Sequence, residues 1–410
     1  MDQKKWLNFL LIVEVIILII VGIYGVVVKK DEPVKTARVE QENDDLEEDM
    51  EENLSVSKEI EIERLVFSEE VESRLNEMTI EEKVAQMFFV TPEALTGVEN
   101  VTVAGETSKT AIATYPVGGL EVSAANYEDA EQFRALISGF QQYSQERIGV
   151  DLFVGAVEIG GEEHSDFALA GLYEMQPLPS EIGANGTTDS ASNSASVIAN
   201  SLVSYGINMN LALISDLANG SNPEYDALTF GSNAGTVSEY VTAQLSTYRS
   251  IGVMAVMRSF PGYSFADFGN GLPMNQRTLD EMLSNELIVY QAGIDAGAEV
   301  IMAANMTAEA LTGDSVTPCS FSGATTNLLR EEMGYIGLIM SDDLSNSYIT
   351  NQYDSSEAAV NAVKAGMDIL YKPADFVAAY NAVIEAVGNG EIDQILIDNA
   401  VGRILTLKYK

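Results

Sequence analysis

Eight short apolar runs, rich in β-branched residues, alternate with helical patterns along the chain, and this alternation constrains its fold more than any other feature. The runs are Val84–Val90, Val117–Ser123, Leu152–Glu158, Ile207–Ser215, Gly252–Phe260, Glu299–Met306, Tyr335–Ser341 and Met367–Tyr371. Helix-period patterns fall between most of them, at Asp129–Tyr143, Ser196–Tyr205, Ser238–Ile251, Leu279–Ala296, Thr325–Met333 and Ser355–Ala365. Glu391–Leu405 would close the chain as an amphipathic helix. Runs that are apolar throughout suit strands buried on both faces of a parallel sheet. Eight βα units in roughly 300 residues is the count and size of a TIM-type (β/α)8 barrel. A doubly wound open sheet gives the same alternation. The longest gap, Glu162–Ser194, is rich in Gly, Ser, Thr and acids, and loops that follow barrel strands carry function.

Chemistry in a barrel lies just past the C-terminal ends of its strands. The polar residues there are Glu121, Glu158, Asp216, Arg258, Asn305, Asp342, Asp343 and Lys372. Carboxylates around one mouth suit glycoside hydrolysis, where one attacks and another group donates a proton. They also suit a divalent cation held by oxygens. With 62 Asp and Glu in the chain, acids placed there by chance and facing water are a third explanation.

Composition narrows the function classes. The 410 residues hold 22 Lys and Arg, one His and one Cys, for a formal net charge of −40. So acidic a surface repels phosphate backbones, and nucleic acid is not an expected partner. One Cys excludes a disulfide framework and a thiolate cluster; one His excludes a multi-His metal site. No metal or cofactor is expected. Cys319 is expected to be a packed thiol, and His164, beside Glu162, Glu163 and Asp166, an exposed loop residue.

The N-terminus has its own character. Trp6 to Val28 is almost wholly apolar and long enough to cross a bilayer as a helix, with Glu14 its one charge. No small-residue cleavage site follows, so residues 1–30 are expected to form an uncleaved signal anchor. Residues 31–64 carry 14 acids against 4 bases and are expected to be an extended linker. Residues 65–410, expected to be the barrel, carry −32 themselves. The acidic turn after the span favours a barrel outside the cell on a single-pass anchor.

Specific strings add more. Met78-Thr79-Ile80-Glu81-Glu82-Lys83-Val84-Ala85-Gln86-Met87 resembles the opening helix and strand of glycoside hydrolase family 3. Pro116-Val117-Gly118-Gly119-Leu120 resembles its second strand, and Tyr205-Gly206-Ile207-Asn208-Met209-Asn210 followed by Asp216 its fourth. Phe260-Pro261-Gly262 is similar to the start of its acid/base loop. Leu329–Gly337 leading to Ser341-Asp342-Asp343-Leu344 is similar to its nucleophile strand. Ala365–Leu370 and Arg403-Ile404-Leu405 are similar to its closing segment. The resemblance is colinear from about residue 70 to 410, and its nearest subtype is the single-barrel bacterial β-N-acetylhexosaminidase.

The resemblance implies a retaining mechanism in which a carboxylate attacks the anomeric carbon, with Asp342 at the nucleophile position and Asp343 its structural neighbour. It also exposes departures. The subtype carries Asp-x-His after Phe-Pro-Gly; Asp267 matches the Asp, and Gly269 falls at the His. The family's Lys-His is Arg258-Ser259, and its strand-six His is Asn305. Its Asp-x-Glu-Gly-Gly is Val157-Glu158-Ile159-Gly160-Gly161, and its Asp-Arg-Ser-Phe-Gly is Ala227-Leu228-Thr229-Phe230-Gly231. Glu158, Arg258, Tyr263 and Asn305 are therefore the expected ligand-binding positions, with Tyr263 a replacement for a loop His as a stacking or hydrogen-bonding group. The losses fall on groups that move protons or bind sugar hydroxyls. They favour a catalytically degenerate relative that binds a cell-wall glycan or an envelope protein. The alternative is an active hexosaminidase in which Glu158, Asp267 or His164 serves as acid/base.

Overall fold

The computed structural model describes residues 63–269 and 271–410. The expected anchor and nearly all of the expected linker lie outside these residues. Among the described residues, no helix is long and apolar enough to cross a membrane.

Eight parallel strands form one sheet: β1 Phe88–Val90, β2 Gly119–Glu121, β3 Phe153–Ala156, β4 Met209–Ile214, β5 Met254–Phe260, then β8 Val300–Ala303, β9 Leu338–Ser341 and β10 Leu370–Tyr371. A small antiparallel hairpin, β6 Ala266–Asp267 and β7 Met274–Asn275, lies between β5 and β8. The sheet order is β10-β1-β2-β3-β4-β5-β8-β9. Its two ends nearly close on one another: Met340 bridges Ile369 in parallel, and the Ser341 N–H donates to the Ile369 carbonyl at 2.9 Å. A doubly wound sheet reverses its strand order midway. Here the order follows the chain, so the architecture is that of a TIM-type barrel.

The strand residues explain the closure. All six residues of β4 and all four of β3, β8 and β9 are buried, as apolar-throughout runs require. Backbone segments also approach closely where glycine stands. A Cβ on Gly118 would meet the Gln86 carbonyl at 1.8 Å, and one on Gly119 would meet the Phe89 ring at 2.3 Å.

The principal helices are α1 Glu69–Glu77, α2 Ile80–Gln86, α3 Ala130–Ile148, α4 Thr188–Tyr205, α5 Ala234–Ile251, α6 Glu286–Asp295, α7 Ser355–Lys364, α8 Phe376–Gly388 and α9 Gln394–Lys408. α2 starts with a reciprocal cap, Thr79 Oγ1 accepting the Glu82 N–H and Glu82 Oε2 the Thr79 N–H. α9 is tied to the barrel through Asp368, a buried carboxylate that accepts from Arg330 at 2.7 Å, Arg403 at 2.8 Å and the Ile339 N–H at 2.8 Å.

Three expectations are corrected. The run Val84–Val90 is the end of a helix followed by a strand: Val84, Ala85 and Gln86 belong to α2. Both pieces are buried, and burial alone does not separate helix from strand. Leu279–Ala296 is two helices, Leu279–Leu283 and α6, broken at Asn285, whose ψ of −89° is not helical. The gap Glu162–Ser194 already holds the helix Pro179–Asn185 and the first turns of α4.

Candidate active site

Asp342 follows β9 directly, so rigid strand backbone aims it into the mouth; its own N–H donates to the Ala303 carbonyl at 2.9 Å. The residue is 5% exposed. Oδ1 accepts the Asp343 N–H at 2.8 Å and Arg258 Nη2 at 3.3 Å. Oδ2 accepts the Tyr263 hydroxyl at 2.9 Å. Arg258 stands on β5 and is itself held, Nη1 donating to the Leu211 carbonyl at 3.1 Å.

Tyr263 lies in the turn after β5. Its hydroxyl accepts the Asn305 N–H at 2.8 Å while donating to Asp342. Burial, and then the Asp342 charge, push this phenol well above its ordinary pKa, so it stays protonated and acts as a donor. The rings of Phe268 and Tyr225 pack on it, with centroids at 5.8 and 6.1 Å. Asn305 is committed to the frame: Nδ2 donates to the Asp343 carbonyl at 2.7 Å, and Oδ1 accepts from Ser320 at 2.7 Å.

Behind this group, Asp216 is wholly enclosed past the end of β4. It accepts the Tyr263 N–H at 2.9 Å, the Tyr290 hydroxyl at 3.2 Å and the Tyr225 hydroxyl. Burial pushes its carboxyl up to about 7. On the other side of the mouth, Lys372 pairs with Glu121 at 3.1 Å and Asp343 at 3.4 Å, and Tyr371 donates to Glu121 at 2.7 Å.

The fold thus brings together four of the six expected site residues: Asp342, Arg258, Tyr263 and Asn305. It does not bring in the other two. Glu158 is 1% exposed and turned into the loop that follows β3, where it accepts the Phe167 N–H at 3.0 Å and the Tyr173 hydroxyl. Asp267 is exposed on the hairpin, opposite Met274, and does not join the Asp342 network. His164 closes a short turn after β3, its N–H donating to the Gly161 carbonyl at 3.3 Å. Sequence reasoning did not single out Tyr225, Tyr290 and Ser320, whose hydroxyls complete the network; nothing in their local strings distinguishes them. An oxygen-ligated cation finds no cluster of three or more His, Cys, Asp or Glu among the described residues.

The model of the glycosyl hydrolase family 3 N-terminal domain matches residues 79–407. This chain belongs to glycosyl hydrolase family 3. It is 26% identical over 331 residues to beta-hexosaminidase A of Pseudoalteromonas piscicida, covering 73% of this chain and 54% of that protein. It is 30% identical over 190 residues to beta-hexosaminidase LpqI of Mycobacterium tuberculosis, covering 44% of this chain and 48% of that one. The chain therefore spans about half the length of these curated relatives. Among solved structures, the family 3 beta-N-acetylglucosaminidase of Paenibacillus sp. str. FPU-7 superposes with a TM-score of 0.75 at 28% identity, over 81% of this chain and 62% of that one. M. tuberculosis LpqI superposes with a TM-score of 0.72 at 24% identity, over 84% and 97%, and shows the shared fold. In this family 3 barrel, the residues gathered around Asp342 come from β5, from the turn after it and from the segments that follow β8 and β9.

Proposed function

We propose that this chain is a membrane-anchored, extracytoplasmic β-N-acetylhexosaminidase relative that no longer hydrolyses glycosides and binds a cell-envelope glycan or a protein partner instead. One observation carries the reading: both oxygens of Asp342, at the family's nucleophile position, already accept hydrogen bonds from the chain's own donors, Arg258, Tyr263 and the Asp343 N–H. A carboxylate held this way presents a weakened lone pair to an anomeric carbon. The proton donor is missing as well, since Gly269 falls at the family's His and Asp267 is exposed on its hairpin. Leaving the departing alkoxide unprotonated forfeits roughly 10²–10⁴ in rate. The neighbouring acid Asp216 is enclosed, with its oxygens engaged by three tyrosines. Anchoring is supported by the apolar span Trp6 to Val28.

The test is an assay of the full chain with a chromogenic N-acetylglucosaminide, alongside calorimetric titration with N-acetylglucosamine oligomers. No chromophore release together with measurable affinity is the expected result. Turnover that Asp342→Asn abolishes would overturn this reading in favour of an active retaining hexosaminidase with an unusual acid/base.

A further inference from the structure

A cavity of about 250 Å³ opens in the loop that follows β1, on the face that holds Asp342 but lined by none of the residues around that acid. Its wall is braced from behind. Glu93 Oε1 accepts the Val101 N–H at 2.9 Å, and Asn126 Nδ2 donates to the Val101 carbonyl at 3.0 Å. Gln132 and Tyr143 of α3 donate to the Thr102 and Ala104 carbonyls. A Cβ on Gly139 of α3 would meet the Ala104 Cβ at 2.5 Å, so the loop lies directly against that helix. These carbonyls are spent on the scaffold, and the shape of the cavity is fixed before any ligand arrives.

The cavity has a donor side and an apolar side. The helix Glu106–Thr114 starts in its wall. Gly105 brings no side chain to cap that helix, and the N–H groups of Glu106, Thr107 and Ser108 make no hydrogen bond within the protein. Ser108 is 2% exposed, and its hydroxyl reaches only the Val103 carbonyl, at 3.4 Å. Val98, Val101 and Val103 supply the apolar side, with Val98 and Val103 left 45% and 68% exposed.

These walls select by chemistry. N–H donors repel a cation. An anion is disfavoured as well, because Glu106 in the first turn offsets the positive helix end and the whole body is strongly acidic. A neutral group that is part acceptor and part apolar satisfies both sides. The volume lies below the roughly 300–1,000 Å³ of pockets for drug-sized ligands, so one small unit fills it.

We propose that this cavity is a second glycan-binding site, which takes the acetamido group of an N-acetylated sugar. The acetyl oxygen accepts the Thr107 and Ser108 N–H groups, and the methyl covers Val98 and Val103. The site rests on the reading that the chain binds an N-acetylated glycan.

Amide NMR of the ¹⁵N-labelled full chain, titrated with N-acetylglucosamine, glucosamine, glucose and Nε-acetyl-lysine, tests this. Saturable shifts of the Glu106, Thr107 and Ser108 signals with N-acetylglucosamine, absent with glucosamine and glucose, are the expected result. Gly105→Asp supplies the missing N-cap, whose carboxylate would accept the same N–H groups. A Cβ at that position has nothing within 4 Å. The variant should therefore keep or raise the thermal midpoint while affinity at these signals falls about tenfold or more. Signals that do not move, or an affinity unchanged in Gly105→Asp, overturn the proposal. Equal shifts with glucose, or tighter binding of Nε-acetyl-lysine, overturn the assignment to an N-acetylated sugar. The Asn305 and Asp343 signals report the mouth separately. Shifts there alone leave the ligand reading of the mouth standing without this cavity, and shifts at 106–108 alone do the reverse.

Discussion

The Tyr263 hydroxyl bridges Asp342 and Asn305, donating to Asp342 Oδ2 at 2.9 Å and accepting the Asn305 N–H at 2.8 Å. Tyr263→Phe removes both bonds at once. The Asn305 N–H would be enclosed without an acceptor, and Oδ2 would lose its donor. The expected loss is about 1–3 kcal/mol of stability, read from urea denaturation.

Asp368, just before β10, joins β9 through the Ile339 N–H, the helical segment Leu328–Glu332 through Arg330, and α9 through Arg403. Asp368→Ala leaves two guanidinium groups facing each other over an empty acceptor site. Loss of about 3–5 kcal/mol is expected, since removing one partner strands the other charges. A midpoint unchanged in chemical denaturation would show that the triad contributes nothing.

Gly262 has φ +129° and lies against Asp216. Gly262→Ala is expected to cost about 1–3 kcal/mol, from backbone strain and from the contact a Cβ would make with Oδ1. Gly269→Ala on the same loop has no contact nearer than Asp267 Oδ1 at 4.0 Å. It should stay within about 0.5 kcal/mol of wild type.

Lys408 reaches beneath the barrel, donating to Gln86 Oε1 at 2.9 Å and the Gly118 carbonyl at 2.8 Å, with its ammonium over the Phe153 ring. Burial without an acid in contact pushes its pKa down from 10.5 to about 7. The fold therefore prefers the neutral amine. Stability from this group is complete above the unfolded value and declines as pH falls towards about 7. The difference in denaturation midpoint between wild type and Lys408→Met should shift in favour of the variant as pH drops from 10 to 7. A difference constant across that range would refute the burial of a charge-averse amine.

Much of the barrel was legible along the chain. Each of the eight apolar runs contains an observed strand, because residues buried on both sheet faces carry no polar alternation. The boundaries were less so. Gln86 ends a helix, although the residues around it form one continuous apolar run with β1, because a helix end and a strand buried in the same core draw on the same side chains. At the mouth, Asp342 and Arg258 could be found at strand ends, where the fold class directs attention. The inward turn of Glu158 could not, because its partners Phe167 and Tyr173 lie in a loop with no regular period.

By itself the sequence determined the alternation of eight strands with helices, the resemblance to the family, the carboxylate at the end of β9 and the absence of a histidine from the loop after β5. Those features are written in residue types and short spacings that survive as a linear string. Tertiary structure alone decided what that carboxylate touches. Tyr263 and Arg258 lie 79 and 84 positions from Asp342, and they reach it only because β5, β8 and β9 stand side by side in a closing barrel. Hydrogen bonds fall off within a few tenths of an ångström. Which donors an acid at a strand end meets is therefore set by the curvature of the sheet and the turn at Gly262, neither of which any local string records.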